Sequence, residues 1–248
     1  PNQSIWKTHL SVSPENINTL KTLLRMEKAL CYKEWIKTRY YYFLAILVSW
    51  GMTGYCILKI NRAITMKGAP HLWEVMLGKD VVFIDLLSYL PLLIGIFLAW
   101  VQFVPEMQQN RLKLTLHLPV SQYKTISIML SFGIILLLIG FASDFLLLWL
   151  YLQKFFATEL TSRILLTAIP WFTAGITGYL LTAWICLEPT WKRRILNILI
   201  STAILRIFFL SSVPESYNCF LPILILFTIL TLFFSLLSVS RFRAGKQD

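Results

Sequence analysis

The chain has 248 residues, of which 57% are hydrophobic and only 14% charged, and its mean hydropathy is +0.67. A soluble domain carries about 25% charged residues, so this composition excludes an ordinary soluble protein and places the chain among polytopic helical membrane proteins. The net charge of +11 would point to nucleic acid in a soluble protein. In a membrane protein the same excess belongs to cytoplasmic loops, and no nucleic-acid partner is expected.

The first residues, PNQSIWKTHLSVSPEN, lack the apolar core of a signal peptide, so the first span is expected to act as its own insertion signal. Ser13-Pro14-Glu15 is a helix start, with a capping hydroxyl, a proline for the first turn and an acid near the positive helix end. Beyond it Ile17, Leu20, Leu24, Cys31 and Trp35 fall on one side at 100° per residue. The pattern predicts an amphipathic helix over 15–39 that lies on the inner leaflet and runs into the first span; the alternative reading is a partly disordered basic tail with a short juxtamembrane helix. Tyr40, Tyr41 and Tyr42 then stand where an aromatic belt belongs.

Six segments are long and apolar enough to cross the hydrocarbon, which takes about 20 residues each. They are 41–58, 81–103, 125–151, 164–187, 195–212 and 220–240. The expected fold is therefore an all-α membrane protein. It divides into a cytoplasmic segment with the interfacial helix (1–40), a six-helix transmembrane domain (41–240) and a short cytoplasmic tail (241–248). Sixteen lysines and arginines fall on the side that holds both termini and six on the other. The positive side is the cytoplasmic one, so both termini are expected inside. Pro91, Pro170 and Pro222 lie within spans two, four and six, where each removes a backbone donor and can kink its helix. Gly175 and Gly178 in span four offer close helix contact.

Catalytic and metal motifs are missing from the sequence. His9, His71 and His117 belong to different loops, and there is no HExxH, no GxSxG and no phosphate-binding GxxxxGK[ST] run. Gly78-Lys79-Asp80 lacks both the upstream glycine and the hydroxyl residue. If ATP drives this protein, another chain must bind it. Cys31, Cys56, Cys186 and Cys219 have no metal spacing. Cys56 and Cys219, both near the outer face, leave a disulfide or two inert thiols open. Ionisable groups inside spans are costly and face protein or water. Three qualify: Asp85, one turn into span two from outside, and Asp144 and Arg206, each about two turns below an outer helix end. Arg206 is expected to pair with Asp144 or Asp85, or to snorkel outward alone.

The loop after span two reads VPEMQQNRLKLTLHLPVSQYK from Val104. Its leucines at 112, 114, 116 and 118 alternate as in a strand. A lone strand between two spans would leave its backbone groups unpaired, so the run is expected as a short helix over 105–118, broken at Pro119. In that form Leu112 and Leu116 share one side, and Leu114 and Leu118 a second side.

The order Glu106, leucine-rich run, Leu118-Pro119-Val120-Ser121, then a basic residue at Lys124 resembles the ABC-2 type permeases, the membrane subunits of a class of ABC transporters. It departs from many members at Asn110-Arg111, where they carry glycine and threonine, and in the short connection 213–219. The resemblance implies six spans, an N-terminal elbow helix and a cytoplasmic coupling helix between spans two and three. It also implies a bacterial cytoplasmic membrane protein that works as an exporter subunit and is not itself an enzyme. Its partners would be a second permease subunit, identical or similar, and ABC ATP-binding subunits that hold ATP and Mg, with no cofactor in this chain. The implied contacts to the ATPase are Glu106, Arg111, Leu112, Lys113, Leu114, Leu116, Leu118, Pro119 and Ser121, together with Glu27 and Trp35 on the elbow. Two other classes stay open. An ATP-independent secondary transporter predicts an inverted repeat and an ion site at mid-membrane. A membrane scaffold would only anchor an ATPase.

Overall fold

The computed structural model describes residues 14–68, 74, 84–108, 122–211 and 213–243. Among them the regular structure is entirely helical. Helix α1 spans Pro14–Lys67, a 3₁₀ turn spans Asp85–Leu87, and α2 spans Leu90–Gln108. Helix α3 spans Gln122–Leu152, α4 Thr158–Leu187, α5 Trp191–Ile207 and α6 Leu221–Arg243. Five of these helices, all but α5, are long and apolar enough to cross a membrane. This is the architecture of a multi-pass helical membrane protein.

Helix α1 begins at Pro14, where proline's missing N–H is one of the orphan donors anyway. Its 54 residues make a rod about 81 Å long at 1.5 Å per residue. It passes without a break through Tyr40 and Tyr41, the boundary that the sequence sets between interfacial segment and span.

Helix α2 differs from the expected second span at both ends. It starts at Leu90 rather than 81 and runs on to Gln108. Pro91 suits the start: it has no N–H to give to the carbonyl of Leu87, and in the first turn of a helix that donor has no partner anyway. Asp85 therefore lies outside the helix, exposed, in the 3₁₀ turn. Pro222 likewise stands second in α6, so of the three span prolines only Pro170 lies well inside its helix.

The fifth predicted span is shifted toward the N-terminus: α5 starts at Trp191 rather than 195 and ends at Ile207 rather than 212. Helix α5 has 17 residues and ends at Ile207, a length of about 26 Å against a hydrocarbon core of about 30 Å. Its end is closed by Tyr217. The tyrosine hydroxyl donates to the Ile207 carbonyl at 3.0 Å and accepts from the backbone N–H of Leu210 at 2.8 Å and of Ser211 at 3.1 Å. Three otherwise orphaned backbone groups are thus satisfied by one side chain.

Side-chain contacts fix the helix directions. Tyr42 meets Leu136 and Ser49 meets Asp144, so α1 and α3 run parallel. Gly95 meets Gly175 and Gln102 meets Tyr179, so α2 and α4 run parallel. Thr177 meets Thr228 and Glu188 meets Ser238, so α4 and α6 do as well. Helix α4 sits at the centre, packed by α2, α3, α5 and α6. Its small residues allow this. A Cβ on Gly175 would lie 2.6 Å from the Pro91 carbonyl oxygen, and one on Gly178 would lie 2.5 Å from Leu92 Cδ1. The close contact expected of these two glycines is the α2–α4 interface.

Candidate functional site

Polar side chains from four helices converge where α2 ends and α3 begins. Helix α1 contributes Lys33, Glu34 and Lys37, whose i, i+1, i+4 spacing puts them on the side facing α2. Helix α2 contributes Gln102 and Glu106, one turn apart on one face. Both carboxylates are buried, with Glu34 at 1% and Glu106 at 0% exposure. Glu106 Oε1 lies 3.0 Å from the Lys33 amine and 3.0 Å from the Lys37 amine. Lys37 also pairs with Glu34 at 2.9 Å. Two negative and two positive charges therefore cancel, which makes their burial tolerable.

Gln102 carries the cluster inward. Its Nε2 donates to Glu34 Oε2 at 3.1 Å and to the Met129 carbonyl of α3 at 2.9 Å. Its Oε1 accepts the hydroxyl of Tyr179 from α4 at 2.7 Å. Tyr179 is fully buried, and its ring tip occupies the space left by the missing side chain of Gly133 on α3. Gln102 and Tyr179 are thus satisfied by partners on α1, α3 and α4, and such a network locks relative helix positions, although Glu106 Oε2 has no hydrogen-bond partner among the described residues. Beside it, Lys124 at the start of α3 pairs with Glu27 of α1 at 2.6 Å.

A second cluster closes the same end of α4. Glu188, fully buried, accepts a hydrogen bond from Ser238 of α6, and Arg241 lies 3.6 Å away. Arg194 of α5 donates to the Glu188 backbone carbonyl at 2.8 Å. One loop residue thus ties α4, α5 and α6 together.

The sequence-predicted residues divide as follows. Glu106 belongs to the last turn of α2, not to a separate coupling helix, and is fully enclosed. Glu27 meets Lys124. Trp35 packs edge-on against Tyr42 and Phe43 of its own helix, with ring centroids 6.3 Å and 6.0 Å apart. Arg111, Leu112, Lys113, Leu114, Leu116, Leu118, Pro119 and Ser121 lie outside the described residues.

The expected pairing of Arg206 is not found. Among the described residues no ion pair joins Arg206 to Asp144 or Asp85. Arg206 is exposed in the last turn of α5, where a cation is favoured by the helix dipole without a carboxylate partner. Asp144 is buried at 1% exposure and is held instead by the hydroxyls of Ser49 and Thr53 on α1. Cys56 and Cys219 are both free thiols.

Sequence reasoning missed Glu34, Gln102, Tyr179 and Glu188. The legible signals were the i, i+4 repeats Lys33/Lys37 and Gln102/Glu106, each at the mouth of an apolar run. No family model, curated protein or solved structure matches the chain.

Proposed function

We propose that the chain is the transmembrane subunit of an ATP-driven exporter of the ABC-2 type, with both termini in the cytoplasm. ATP and Mg would be held by separate ATP-binding subunits, and a second permease subunit would complete the pathway. The observation that carries this reading is the way α1 grips both ends of the connection 109–121. Glu106, just before it, is paired with Lys33 and Lys37, and Lys124, just after it, is paired with Glu27. A partner that pushed on this connection would move α1 and α3 together, through ion pairs and the Gln102–Tyr179 network. That is the mechanical requirement for coupling an external ATPase to the spans.

The test is co-purification in mild detergent followed by transport in vesicles. An ATPase subunit should accompany the chain. Glu27→Lys and Lys124→Glu should each lower transport per ATP hydrolysed, and the double exchange should restore it. A chain that purifies without any ATPase, and transports without ATP, would overturn the reading.

One observation favours a secondary transporter instead. Asp144 is buried among apolar residues of three helices with no basic partner among the described residues. Transport that survives ATP depletion and collapses with an ion gradient would select that reading.

A further inference from the structure

We propose that Asp144, Ser49 and Thr53 form a binding site for one small monovalent cation, sodium in the first instance. The three residues meet between α1 and α3. Asp144 Oδ2 accepts the Ser49 hydroxyl, and Oδ1 accepts the Thr53 hydroxyl at 3.3 Å. All three are buried: Asp144 at 1%, Ser49 at 6% and Thr53 at 0% exposure. Neither hydroxyl has another hydrogen-bond partner among the described contacts.

Charge identifies the ligand class. Ser49 and Thr53 face the carboxylate from α1, and Ile94 and Leu98 of α2 line the small cavity beside it. No charged side chain among the described residues interacts with Asp144. An isolated carboxylate in such surroundings is costly. One monovalent cation cancels its charge, whereas a divalent ion would leave an excess positive charge. Consistent with that, no group of three or more acidic, histidine or cysteine side chains converges among the described residues.

Geometry supplies the ligands. A serine or threonine oxygen has two lone pairs, so each hydroxyl can turn from donating to Asp144 to facing a cation. Two carboxylate oxygens and two hydroxyl oxygens are then available. The cavity beside Asp144 and Ser49 has room for about one water molecule, which suits a single dehydrated ion. Asp144 lies about 12 Å from the end of α3 at Leu152 and about 33 Å from its start, so the ion would reach it from the Leu152 side. Because α1 and α3 each supply ligands, the bound ion would clamp those two helices together.

The experiment uses the full chain in neutral detergent, with choline chloride replaced stepwise by sodium chloride at constant ionic strength. The expected result is saturable binding of one radioactive sodium ion per chain and an unfolding midpoint that rises with the logarithm of sodium concentration above the dissociation constant. At ten times the dissociation constant the rise should be roughly 3–6 °C. Asp144→Asn, whose amide accepts from one hydroxyl and donates to the other while carrying no charge, should abolish binding. Thr53→Val and Ser49→Ala should each weaken it at least tenfold, and they carry the test if Asp144→Asn does not fold. Equal midpoints in choline and sodium, sodium binding retained by Asp144→Asn, or a midpoint that follows pH but not sodium would each overturn the proposal. Binding is read on the isolated chain, so this outcome is independent of whether an ATPase partner exists.

Discussion

Glu106→Gln is the sharpest probe of the cluster between α1 and α2. The substitution keeps the side chain's volume and removes one of two negative charges from a set of four. Glu106 Oε1 takes charged contacts at 3.0 Å from both Lys33 and Lys37, and hydrogen bonds to charged groups contribute about 1.5–3 kcal/mol each. The loss is smaller than their sum for two reasons. Lys33 is 37% exposed and can turn to water, and Lys37 keeps Glu34 at 2.9 Å. Removing one partner of a fully buried pair costs about 3–5 kcal/mol, and with that screening the expected cost here is about 2–4 kcal/mol. In a chain of this size each kcal/mol moves the unfolding midpoint by about 2–4 °C. Adding Lys33→Gln to Glu106→Gln restores neutrality. The double variant should therefore be less destabilised than the two single effects imply, with a coupling of about 1–2 kcal/mol. Thermal unfolding in detergent, followed by tryptophan fluorescence, gives all four corners of the cycle. Strict additivity, or a Glu106→Gln cost below about 0.5 kcal/mol, would refute the idea that this cluster is a charge-balanced lock.

Other substitutions test the packing around it. Tyr179→Phe should cost about 1–3 kcal/mol, because Gln102 Oε1 loses its hydroxyl donor in a buried site; no change in the midpoint would mean the network is dispensable. Gly175→Ala should cost about 1–3 kcal/mol by overpacking, since its Cβ would lie 2.6 Å from the Pro91 carbonyl oxygen and 2.9 Å from Phe141 Cζ. Gly51→Ala, with nothing within 4 Å of the added Cβ, should be neutral or stabilising by up to about 1 kcal/mol. If both glycine variants shift the midpoint alike, the close α2–α4 contact is wrong. Ser238→Ala should loosen α6 from α4 by about 1–2 kcal/mol, seen as faster proteolysis near the C-terminal end of α6.

Much of the helical layout was legible because a span announces itself locally. Runs of about 20 apolar residues can only be helices in lipid, where backbone groups have no other partner. The start of α1 at Pro14 and the closeness asked of Gly175 and Gly178 were also local properties, of a ring without an N–H and of residues without a Cβ. The start of α2 was not: Pro91 was read as a kink inside a span and stands instead in a first turn, whereas Pro170, with the same missing donor, lies inside α4. The hydropathy of 195–212 hid the early end of α5, because Tyr217 closes that helix from beyond it in sequence.

The partners of the buried polar groups were not legible at all. Composition named Asp144 and Arg206 as intramembrane charges of opposite sign and invited their pairing. The tertiary structure put Ser49 and Thr53 in front of Asp144 and left Arg206 at an exposed helix end. In the same way Glu106 was read as a loop acid facing an external partner, and packing enclosed it against Lys33 and Lys37. The physical reason is common to both. Whether a residue belongs in a membrane helix depends on the free energy of its own side chain and its neighbours in sequence. Which group satisfies a buried charge depends on helix register and rotation across as many as 95 residues of separation, and only the packed bundle sets those.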